Sequence, residues 1–102
     1  MTFTEDQIKI LNDAIRRYGV DMQTDIAIEE MSELTKAIIK ERRIKSAATV
    51  ENVCEEIADV LIMMEQLCLI YPPGYIEKYI NFKLQRLEKR LSKLKKKENN
   101  PE

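Results

Sequence analysis

A chain of 102 residues, 44% apolar and 34% charged, fits one small soluble domain with a limited core and excludes a disordered polymer. The formal net charge of −1 argues against a dedicated nucleic-acid binder, and the absence of histidine removes the usual general base and the commonest zinc ligand. No apolar run reaches the roughly 20 residues of a membrane span and no signal-peptide pattern opens the chain, so a cytoplasmic protein is expected. Cys54 and Cys68 fall on one expected helix about 21 Å apart, beyond the reach of a disulfide, and read as thiols in a reducing compartment.

The first helix starts at a capping box, Thr4 with Gln7, carries Ile8, Leu11 and Ile15 at helical spacing, and ends at Gly19. Asp21 is the expected cap of a second helix running to about Arg43. The stretch IKSAATV is a short connection, and Thr49 the expected N-cap of a third helix that ends near Tyr71. Pro72, Pro73 and Gly74 reverse the chain. A fourth helix from about Tyr75 to Lys97 carries a seam of Ile76, Ile80, Leu84, Leu87, Leu91 and Leu94, suited either to core packing or to a coiled-coil contact. The elements give an all-α fold: an antiparallel bundle of about four helices in one domain over residues 1–97, with 98–102 a frayed polar tail. The apolar faces of helices two and three are wide for so short a chain, so a homodimer is expected to complete the core.

Charge is unevenly spread. Residues 51–65 hold five acids and no base, whereas residues 83–97 hold eight bases and one acid, Glu88. Placement of the acids within helices two and three is more informative. At about 100° per residue, with Ile26 at zero, Ala37, Leu34, Ala27 and Ile38 span roughly 20–120°. Glu30 falls at about 40°, inside that arc, and Glu33 at about 340°, at its edge, while Glu29, Lys36 and Lys40 gather on the solvated side. In the third helix, with Val53 at zero, Val60, Met64, Ile57 and Leu67 span about 320° through about 40°. Glu56 falls at about 300° and Asp59 at about 240°, while Glu55 and Gln66 take the polar side. Each helix thus carries one acid inside its apolar stripe and one at the rim, three residues apart. Like charges at 4 Å repel by about 4 kcal/mol at an effective dielectric of 20, so four converging carboxylates call for a cation. An oxygen-only donor set favours Mg²⁺, with Mn²⁺ as a substitute.

Glu29-Glu30-Met31-Ser32-Glu33, followed on the next helix by Glu56-Ile57-Ala58-Asp59, resembles the E-E-x-x-E … E-x-x-D signature of the MazG-like all-α nucleoside triphosphate pyrophosphohydrolases. The resemblance covers roughly residues 20–92. It implies a helical homodimer or higher oligomer and a Mg²⁺-dependent hydrolase converting nucleoside triphosphate to monophosphate and pyrophosphate. By position, Glu30, Glu33, Glu56 and Asp59 would be the metal ligands and catalytic acids. Lys83, Arg86 and Asn81 on the following helix would hold phosphate, and Gln23 would face the nucleotide. Chemistry consistent with this set has magnesium lowering the pKa of a bound water, a carboxylate of the quartet or a metal-bound hydroxide acting as base, and a basic side chain steadying the developing charge. Two other classes fit the same residues: a catalytically silent helical interaction protein whose acids pair with a neighbour's bases, and a nucleic-acid accessory protein using the basic fourth helix.

Overall fold

The computed structural model describes residues 2–99, which form four α-helices and no strand. They are α1 (Glu5–Tyr18), α2 (Val20–Ile44), α3 (Ala47–Ile70) and α4 (Pro73–Asn99). No helix among the described residues is long and apolar enough to cross a membrane. The first three helices up to Tyr71 make one compact unit, and α4 makes a second.

Start and stop signals explain the boundaries. Thr4 and Gln7 form the expected reciprocal capping box at α1, with the Gln7 backbone N–H donating to Thr4 Oγ1 at 3.1 Å and the Thr4 N–H to Gln7 Oε1 at 2.8 Å. Gly19, at φ 90°, both ends α1 and begins α2, a conformation that side-chain-bearing residues rarely adopt. Asp21 therefore lies in the first turn of α2 rather than at its cap, where its charge still complements the positive helix end. The N-cap of α3 is Ser46, not Thr49. Ser46 Oγ accepts from the Thr49 N–H at 3.1 Å while Thr49 Oγ1 accepts from the Ser46 N–H at 2.9 Å. Thr49 fills the third helical position, where glutamate or glutamine usually closes the box. Pro73 opens α4 two residues ahead of the expected start at Tyr75, because the first helical position tolerates a missing N–H. At its other end α4 runs through Asn99; of the tail expected at 98–102, residues 100–102 lie outside the described residues.

Lys45 in the left-handed conformation (φ 47°) ends α2, and only Lys45 and Ser46 join it to α3. So short a connection turns the chain back, and α2 and α3 pack along each other, with α1 laid against both. Among the described residues the buried apolar side chains are Leu11, Ala27, Ala37 and Met63. The stripe α3 buries is not the one its widest apolar arc predicts. Thr49, Glu56, Met63 and Gln66 lie inward, about 80° round the helix from the arc centred on Val53. Gln66, expected on the polar side, is only 4% exposed, and Gln23 of α2 is equally buried.

Candidate metal centre

The inward stripe of α3 brings its acids to the seam with α2. Glu56 and Asp59 are one turn apart and so share a face, while Glu30 approaches from α2. One carboxylate oxygen from each of the three lies within 4.8 Å of the others, and all three residues are half-buried. Glu56 Oε2 is shielded from solvent and has no hydrogen-bond partner. Within the α1–α3 unit neither ion pair reaches the triplet: one joins Arg16 to Asp13, the other Lys36 to Glu33. Among the described residues of that unit, no ion pair involves any of the three converging carboxylates.

Proton affinity records the crowding. Burial, then the charges of Asp59 and Glu56, hold the Glu30 carboxyl above its ordinary range; a hydrogen bond with Asp59 and the charge of Glu33 act in the same direction. Glu56 is likewise raised, first by burial and then by Asp59, Glu33 and Glu55.

Glu33, the fourth expected ligand, is exposed beside the triplet. Its Oε1 accepts from Lys36 Nζ at 3.4 Å, yet its charge acts on both Glu30 and Glu56. Glu29 and Glu55 are exposed, as their helical phases predict. Asn81, Lys83 and Arg86 lie exposed on α4, with the Arg86 guanidinium 6.0 Å from the centre of the Phe82 ring. Gln23 lies seven residues before Glu30, and Gln66 seven after Asp59, about 10 Å along each helix. Because α2 and α3 run in opposite directions, both amides fall on the same side of the acids. Gln66 Oε1 is buried without a partner. Sequence reasoning placed Gln66 on the solvated side; the available signal was its seven-residue spacing from Asp59.

The donor set fits a hard divalent cation. It offers oxygen only, and one oxygen is already desolvated and unpartnered. Oxygens around an octahedral Mg²⁺ lie about 3.0 Å apart when adjacent and about 4.2 Å when opposite, so the three, within 4.8 Å of one another, reach one ion by drawing closer through side-chain rotation. Zinc sites draw on histidine and cysteine, and the cluster contains neither. Comparison of the chain with protein-family models, with curated proteins and with solved structures finds no match.

Proposed function

We propose that this protein is a Mg²⁺-dependent nucleoside triphosphate pyrophosphohydrolase of the MazG-like kind, acting as a homodimer or higher oligomer on (d)NTP to give (d)NMP and pyrophosphate. The convergence of Glu30, Glu56 and Asp59 from two helices, with Glu56 Oε2 buried and unpartnered, carries the reading. These three hold the ion, and Glu33 adds its charge beside them. Bound there, Mg²⁺ (or Mn²⁺ in its place) supplies charge neutralisation of the triphosphate and a lowered pKa for coordinated water.

The chain's own residues account for the rest. With no histidine available, a carboxylate of the acidic group takes the proton of the attacking water. Attack at the α-phosphorus breaks its bond to the α–β bridging oxygen, and pyrophosphate leaves carrying that oxygen. Lys83 and Arg86 supply charged donors matched to phosphate oxygens, with Asn81 supplying a neutral amide. The desolvation that raises Glu30 and Glu56 also strengthens their hold on a cation.

Pyrophosphate release from individual nucleoside triphosphates, assayed with Mg²⁺ and with EDTA, tests the proposal. Release from at least one triphosphate that EDTA abolishes is expected. No release from any of them returns the chain to the class of silent helical interaction proteins.

A further inference from the structure

α3 carries two stripes. The one turned into the α1–α3 unit holds Thr49, Glu56, Met63 and Gln66 and is largely polar. The other runs Val50, Cys54, Ile57, Leu61, Met64 and Cys68, with spacings of four, three, four, three and four, and contains no charge. That is the spacing with which one helix packs along another. Its first half is open: Val50 is 49% exposed and Ile57 41%. A groove of 330 Å³ beside it is lined by Ile38, Glu41, Val50, Val53 and Cys54, and a second of 220 Å³ is lined by Phe3, Ile57 and Leu61 among others. The unit buries so little apolar surface of its own that leaving this stripe in water is costly.

We propose that a second copy of this chain covers the stripe, α3 against α3, antiparallel about a two-fold axis between Ile57 and Leu61. The inference extends the homodimer of the proposed function and rests on that dimer, not on its metal. The stripe is complementary to itself in this register, as a two-fold interface requires. Val50 meets Cys68 of the second copy, Cys54 meets Met64, and Ile57 meets Leu61. Met64, long and flexible, is thereby directed at the 330 Å³ groove beside Cys54. The flanking acids select the antiparallel arrangement. Glu51, Glu55 and Glu65 then fall level with Leu67, Met63 and Val53, so no flanking acid opposes an acid; Asp59 falls level with its own copy but lies about 180° round α3 from the stripe. Parallel pairing would set each of the three against its own copy. A charged ligand or nucleic acid would find no complementary charge along the stripe.

Cysteine cross-linking reads the register. In the native chain, Cys54 and Cys68 of opposite copies are offset by four residues, about 6 Å along the axis, in addition to the roughly 8–10 Å between helices. That exceeds the roughly 7 Å Cα separation a disulfide spans, so mild oxidation should leave the native protein uncross-linked across α3. Met64→Cys should give a covalent dimer through Cys54, and Val50→Cys one through Cys68, each identified by peptide mass. Glu55→Cys, about 140° round from the centre of the stripe, should give none. Light scattering of the native full chain should report at least twice its 12.0 kDa mass. A chain that is monomeric at all concentrations overturns both the interface and the proposed homodimer. A dimer by mass in which neither Met64→Cys nor Val50→Cys cross-links overturns this interface alone.

Discussion

Glu30 of α2 and Asp59 of α3 meet across the helix seam with carboxylate oxygens within 4.8 Å of each other. Burial first, and the Asp59 charge next, hold Glu30 above the ordinary carboxyl value of 4.5. Two acids facing each other over a seam whose fully buried side chains are all uncharged form a device that is unfavourable until something positive, a proton or a cation, enters it.

The sign of the pH dependence follows. Glu30 and Glu56 bind protons more tightly folded than unfolded, so their contribution to stability is complete below the unfolded value of 4.5 and is lost as pH rises through the raised folded values. In EDTA, melting temperature should therefore fall more steeply above pH 4.5 for the native chain than for Glu30→Gln, which cannot ionise there. Parallel melting profiles for the two would show that the cluster is not under charge strain.

Capping at α3 gives a test independent of the acids. Ser46→Ala removes the acceptor for the Thr49 N–H and should cost about 1 kcal/mol, seen as a lower urea midpoint with an unchanged slope. An unchanged midpoint would return the helix start to Thr49.

What the sequence made legible, and what it hid, comes down to which signals are local. Thr4, Gln7 and Gly19 act through the backbone beside them, and their reading as helix punctuation holds. Ser46 was hidden because it precedes a second good capping residue at the box position, so that two starts three residues apart carry similar signals. The acids were legible because residues three apart share a helical face whatever that face meets; Glu30, Glu56 and Asp59 do converge. Which face of α3 packs on α2 was not legible. The wheel finds the widest apolar arc, and here the fold turns a polar stripe inward and leaves Val50, Cys54 and Ile57 half in solvent. Gln66, and the burial of Gln23, were hidden for the same reason: an amide gains its place from a neighbouring helix, not from its own segment. Glu33 met a local competitor, Lys36, one turn on.

Glu29 and Glu55 separate placement from chemistry. Each adjoins a triplet acid in sequence but is exposed. Alanine at either should change turnover less than about tenfold, whereas alanine at Glu30 or Glu56 should cost at least about a hundredfold, as expected when a metal ligand is lost. Equal losses at all four positions, measured under saturating Mg²⁺, would show that charge density rather than ligand position governs activity.

Glu56→Gln distinguishes a metal centre from a structural ion pair. The substitution keeps size and removes one charge from a crowded site, so in EDTA it should raise the melting temperature. A carboxylate paired with a base would respond with a lower melting temperature, because the base is left unpaired. Turnover in Mg²⁺ should drop at least about a hundredfold.

The central claim is that the α2–α3 acids bind a divalent cation, and a melting curve of the native chain with and without Mg²⁺ tests it most directly. A cation that binds the folded cluster and not the unfolded chain stabilises by about 2.7 kcal/mol at a hundred times its dissociation constant. Millimolar Mg²⁺ should therefore raise the melting temperature by several degrees more than NaCl of equal ionic strength, and the difference should vanish in Glu56→Gln. Equal shifts from the two salts in the native chain would leave general screening alone and contradict the metal centre.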